Sequence, residues 1–163
     1  MKKSNFSLKE KRIICLRGVS NIGKTETIKA LAIKLLARKN KDVKWYYPET
    51  SPIKDTDLWK YTDIDVEIIH NSNHIGLSSR GDCEKLIKQS ISRCIKNGCN
   101  IIFCTCRGKG KGMEYLKKVV ASNGYSLIFT SPLTIGTKHN EDDEIVMNNK
   151  MADFLSLSDL MCK

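Results

Sequence analysis

No apolar run in this 163-residue chain approaches the ~18 residues of a membrane span, and its opening, Met1-Lys2-Lys3-Ser4-Asn5-Phe6-Ser7, lacks the apolar stretch of a signal peptide. These absences predict a soluble protein of the cytoplasm with no membrane partner. No C-x-x-C pair occurs among the seven cysteines. Their number is odd, and Cys15, Cys94 and Cys104 lie inside apolar strand or helix patterns, which points to a reducing compartment where thiols pack as small hydrophobes. Zinc sets drawn from Cys99, Cys104 and Cys106, or from His70, His74 and Cys83, match no common structural spacing. Core packing is the expected role of the cysteines, and His70 and His74 flank a turn. Internal repeats and Pro/Ser-rich linkers are also missing. The whole of 1–163 therefore reads as one domain with a tail over 1–10, long enough to bury roughly 70% of its unfolded surface.

What is present in excess is positive charge, +10 net from 28 basic and 18 acidic residues, which favours polyanionic partners: nucleotide, nucleic acid or an acidic protein. Lysines of the tail (Lys2, Lys3, Lys9, Lys11) and of the first helical stretch (Lys29, Lys34, Lys39, Lys41) read as solvated faces. The run Arg107-Gly108-Lys109-Gly110-Lys111-Gly112 is different, because glycines alternating with cations make a mobile basic strip.

Hydrophobic periodicity alternates between strand and helix. Strands are predicted over 13–16, 43–47, 100–105 and 125–130, with a hairpin of 66–70 and 75–79 around Asn71-Ser72-Asn73. Helices are predicted over 26–39, where Ile28, Leu31, Ala32, Leu35 and Leu36 form one stripe, over 82–96, over 113–121, and from the acidic run at 141–144. A polar loop over 49–57 and a turn-rich stretch over 131–140 complete the pattern. Strands separated by helices require crossovers, so the expected fold is α/β: a three-layer α/β/α arrangement whose mainly parallel sheet has about five strands, with one antiparallel hairpin strand. Right-handed crossovers bring the loops after parallel strands to one rim.

The first of those loops carries the chemistry. Residues 18–25, Gly18-Val19-Ser20-Asn21-Ile22-Gly23-Lys24-Thr25, match G-x-x-x-x-G-K-[ST] between a strand and a helix. A chance match in such a chain is on the order of one in a hundred or less. Gly18 and Gly23 allow close backbone approach to a phosphate, Lys24 supplies a mobile charge, and Thr25 offers a hydroxyl to Mg²⁺. Glu26 follows at the helix start, whose dipole adds positive potential.

Over residues 12–39 the chain resembles the P-loop NTPase superfamily, and the rest resembles it in architecture. The resemblance implies a bound nucleoside triphosphate with Mg²⁺, and charge stabilisation on the γ-phosphoryl group by Lys24 and an arginine. No apolar run ends directly in an acid. Asp82, just past the hairpin, is the first choice for the second Mg²⁺-side carboxylate, alongside a role as helix N-cap. Glu49 is a candidate proton acceptor, against the alternative of a solvated loop acid. Arg107 is the candidate charge-stabilising arginine, and its loop suits a phosphorylated or acidic second substrate.

The hairpin also resembles that of small GTPases, but Ser78-Ser79-Arg80-Gly81 stands where they carry D-x-x-G. Their guanine-reading N-K-x-D is missing too, since Asn149-Lys150-Met151-Ala152-Asp153 has the wrong spacing. ATP is accordingly favoured over GTP. Three function classes follow: an ATP hydrolase or small phosphotransferase (kinase), a nucleotide-responsive switch with little turnover, and a nucleic-acid-associated ATPase whose binding would fall steeply with salt.

Overall fold

The structure, a computed structural model, describes residues 10–50 and 55–132. The elements in chain order are β1 (Lys11–Arg17), α1 (Lys24–Leu36), β2 (Lys41–Tyr47), a 3₁₀ helix (Asp55–Lys60), β3 (Asp65–His70), β4 (Asn73–Ser78), α2 (Glu84–Lys96), β5 (Ile101–Cys106), α3 (Lys111–Asn123) and β6 (Tyr125–Thr130). The strands form one sheet in the order β2-β3-β4-β5-β1-β6. Strands β4, β5, β1 and β6 pair in parallel, whereas β3 runs against both β2 and β4. Because two reversals restore the direction, β2 points the same way as β4.

Ile13, Ile14, Cys15 and Leu16 of β1 are all fully buried, as expected of a central strand covered on both faces. Alternation along the strand divides them. Ile14 and Leu16 pack with Ile28, Leu31 and Leu35 of α1, while Ile13 and Cys15 pack with Ile87 and Ile91 of α2 and Leu116 of α3. The sheet is therefore the middle of three layers. Between β3 and β4 the chain reverses through Asn71 and Ser72, both left-handed at φ 48° and 63°, the torsions of a two-residue hairpin loop that follows strand twist.

The α/β class and mostly parallel sheet agree with the periodicity, with six strands rather than about five. Helix limits shift by a turn or less: α1 starts at Lys24 and stops at Leu36, and α2 starts at Glu84. The end of the expected polar loop over 49–57 belongs instead to the 3₁₀ helix from Asp55, because Leu58 is fully buried in the α1-side core and pins that segment down, and 51–54 lie outside the described residues. Lys29 is also corrected. It is 5% exposed rather than solvated, and its ammonium donates to the Tyr61 carbonyl. Burial lowers its pKa, opposed by Glu26 and Asp63. No described helix is long and apolar enough to cross a membrane. The tail over 1–9, the turn-rich stretch from 133 onward and the helix expected from 141 lie outside the described residues.

Candidate nucleotide site

The loop between β1 and α1 uses backbone torsions that favour glycine at both ends: Gly18 has φ 151° and Gly23 φ 81°. A Cβ on Gly18 would stand 2.1 Å from Ile22 Cδ1, so the loop closes on itself there. At the other end, the Thr27 N–H and hydroxyl both donate to the Gly23 carbonyl at 3.0 and 2.7 Å, which fixes the loop to the helix. Gly23 brings no side-chain cap to α1. The first-turn amides are thus left to serve an external acceptor at the positive end of the dipole.

Lys24 is only 6% exposed, and its ammonium donates to the carbonyls of Gly18 at 3.1 Å and Val19 at 2.5 Å. The loop is curled around its own cation. Val19, by contrast, projects at 72% exposure.

A cleft of about 280 Å³ opens over this loop. One wall consists of Ser20, Asn21, Gly23, Lys24, Thr25 and Glu26, and the other of Ser79, Asp82 and Thr105 from the ends of β4 and β5. No large apolar side chain lines it. Such a donor-rich concavity fits a polyanion and a hard, oxygen-seeking cation better than an apolar ligand. Ser79 and Thr105 were missed by the sequence reading, although both sit where predicted strands end. Their positions are rigid. The Ser79 hydroxyl donates to Asp63 Oδ1 and accepts from the Ile64 N–H, each at 2.9 Å, and the Thr105 hydroxyl donates to the Ser79 carbonyl at 2.8 Å.

Of the remaining candidates, Asp82 does reach the cleft wall, with its side chain 70% exposed and its Oδ1 3.7 Å from Arg107 Nε. Its expected helix-capping role is not realised: Cys83, in extended conformation, is the N-cap and makes no side-chain capping bond. One residue ahead of the N-cap, Asp82 faces the cleft instead. The basic loop abuts the loop between β1 and α1, since a Cβ on Gly108 would lie 4.0 Å from Gly18 Cα. Arg107, Lys109 and Lys111 line a second cleft of about 250 Å³ that shares Asp82 with the first. Glu49 does not join them. It is exposed past the end of β2, on the same rim but four strand steps from β1, about 19 Å at the usual strand spacing.

Beneath the site, Cys15 Sγ and Cys106 Sγ are 3.1 Å apart and fully buried. The Cys104 thiol and burial push the Cys15 thiol up, and Cys15 and burial push Cys106 up, so both behave as neutral packing groups. Comparison with protein families, curated proteins and solved structures gives no match for this chain.

Proposed function

We propose that the chain is a P-loop NTPase domain that binds a nucleoside triphosphate with Mg²⁺ in the cleft over residues 18–25, ATP favoured, and hydrolyses it or transfers its γ-phosphoryl group. One observation carries the reading: a buried lysine ammonium, an uncapped helix start and two glycine-favouring torsions converge on one polar cleft. In this reading the first-turn amides of α1 hold phosphate oxygens, and Lys24 exchanges its two carbonyl partners for the outer phosphates. Thr25 gives its hydroxyl to Mg²⁺, which would neutralise phosphate charge. Asp82 faces the metal side from the opposite wall. Arg107, whose loop abuts Gly18, stabilises charge on the departing phosphoryl group.

A second reading, a switch with little turnover, is favoured by the far wall: β4 ends in a hydroxyl, Ser78, with a second, Ser79, just past it, and the nearby acid Asp82 is exposed and faces Arg107. Phosphate release from Mg-ATP, measured with and without DNA or RNA, and phosphate transfer to a panel of nucleosides and metabolites decide between them. Turnover that disappears in Lys24→Ala and drops about 10²-fold or more in Arg107→Ala is the expected result. Tight binding with neither release nor transfer selects the switch, stimulation by nucleic acid selects a nucleic-acid-associated ATPase, and absence of nucleotide binding overturns all three.

A further inference from the structure

On the α2 face of the sheet, Asp65 and Glu67 are buried because they alternate along β3 with Val66 and Ile68, which fill the opposite core. Asp65 is answered by Arg93 and Ser90. Glu67 has different company. One oxygen from its carboxylate and the sulfurs of Cys94 and Cys99 all lie within 4.8 Å of one another, from β3, α2 and the turn that follows α2.

We infer that Glu67, Cys94 and Cys99 form a binding site for a thiolate-seeking divalent cation of the zinc type, separate from the nucleotide cleft. The ligand set suits that metal, because two thiolates select zinc over magnesium, and tetrahedral zinc needs ligand–ligand edges of about 3.6–3.8 Å. Small side-chain adjustments reach them. The chain makes room for the sulfurs at the cross-strand partner of Glu67, which is Gly76: a Cβ there would lie 2.5 Å from Cys94 Sγ and 3.6 Å from Cys99 Sγ. The two cysteines are joined by the turn that ends α2, where Gly98 is left-handed at φ 83° and the Cys99 N–H donates to the Cys94 carbonyl at 2.9 Å.

The carboxylate is held as a ligand usually is. Arg93 Nε donates to its Oε1 at 3.3 Å, Asn97 Nδ2 donates to both oxygens at 3.0 and 3.1 Å, and His74 Nε2 lies 2.9 Å from Oε2. His74 therefore orients the ligand from outside the triangle. On the carboxylate side the triangle borders a surface cleft of about 290 Å³ that Glu67, His74, Asn97 and Tyr46 help to line, whereas Cys94 and Cys99 are buried behind it, so a water as fourth ligand would enter past Glu67. Charge also balances. As the dication enters, two thiol protons leave to solvent, so the buried net charge is unchanged.

The test is titration of the full, reduced, metal-free chain with Co²⁺ alone, followed by Zn²⁺. One equivalent of cobalt is expected to give a sulfur-to-cobalt charge-transfer band with tetrahedral d–d bands, and zinc to erase both. Cys94→Ala or Cys99→Ala should abolish the sulfur band, Glu67→Gln should weaken binding roughly 10- to 100-fold, and Cys15→Ala and Cys106→Ala should leave it unchanged. No sulfur band in the folded wild-type chain, or a band that persists in the folded Cys94→Ala/Cys99→Ala protein, overturns the site. Should those variants fail to fold, alkylation of the wild-type chain mapped by mass spectrometry replaces them: zinc must shield Cys94 and Cys99, and shielding of other cysteines alone, or of none, refutes it. Lys24→Ala keeps the cobalt spectrum while its nucleotide binding weakens, so the two sites fail independently.

Discussion

Gly81 joins β4 to α2 under the far wall of the cleft, and replacing it with alanine probes how tightly that wall is built. An added Cβ would stand 2.1 Å from the Thr105 carbonyl oxygen, 2.2 Å from its hydroxyl and 2.3 Å from its carbonyl carbon. Two of these three atoms are backbone of β5, clamped between β4 and β1, so the turn must move by about 1 Å to restore van der Waals contact. Overpacking of this kind costs about 1–3 kcal/mol. At about 2–4 °C per kcal/mol for a chain of this size, Tm should drop by about 2–12 °C. The same movement strains the Ser79 carbonyl, which accepts from both the Gly81 N–H and the Thr105 hydroxyl at 2.8 Å, and it displaces Ser79 and Asp82 in the cleft. Nucleotide affinity should therefore fall with stability. Adding Thr105→Ala should not rescue Gly81→Ala, because it removes only one of the three clashing atoms. Urea midpoints, thermal melts and nucleotide titrations of the single and double variants make the test. An unchanged midpoint and unchanged affinity for Gly81→Ala would refute the reasoning.

Three other outcomes follow. Arg93→Ala strips the guanidinium from buried Asp65 and Glu67 and its stacking from Tyr46, 3.7 Å to the ring centroid, and should cost about 3–5 kcal/mol in chemical denaturation; a loss below about 1 kcal/mol would count against a buried ionic cluster. Ser72→Gly relieves a left-handed serine at φ 63° and should raise stability by about 1 kcal/mol, read from the same curves, whereas destabilisation would contradict the turn assignment. The Tyr125 phenol donates to the Cys99 carbonyl, and burial, then Cys99 and Cys94, push it up to about 12. Since the folded value lies above the unfolded ~10, its contribution is complete below pH ~10 and is lost as pH rises toward ~12. Tyr125→Phe should flatten alkaline denaturation in that window, and an identical profile would exclude the assignment.

Most of the scaffold was legible because its signals are local. The stripe of Ile28, Leu31 and Leu35 and the apolar run at 13–16 each needed only a short window and stand where their patterns point, whereas the turn expected over Asn71-Ser72-Asn73 is one residue shorter because Asn73 of β4 already pairs with His70. Ends were less legible. Helix α1 begins at Lys24 because Gly23 turns left-handed, a torsion that periodicity does not report. Lys29 read as surface since lysine usually is, and only the Tyr61 carbonyl, 32 residues away, explains its burial. The cleft followed the same division. Residues 18–25 announce themselves by spacing, while Ser79 and Thr105 carry no motif and meet that loop only through the order of β4, β5 and β1. Glu49, chosen because it follows a strand, is left on the rim's far edge by β3 and β4 pairing in antiparallel fashion between it and the centre.

The central claim is tested most directly by calorimetric titration of the wild-type chain and Lys24→Ala with ATP and Mg²⁺, each shown to be folded by circular dichroism. Saturable one-to-one binding is expected for the wild type, weakened roughly 10- to 100-fold in Lys24→Ala, the value of one charge-assisted contact to phosphate. Equal affinity in the two proteins, or no binding by the wild type at millimolar nucleotide, would contradict it.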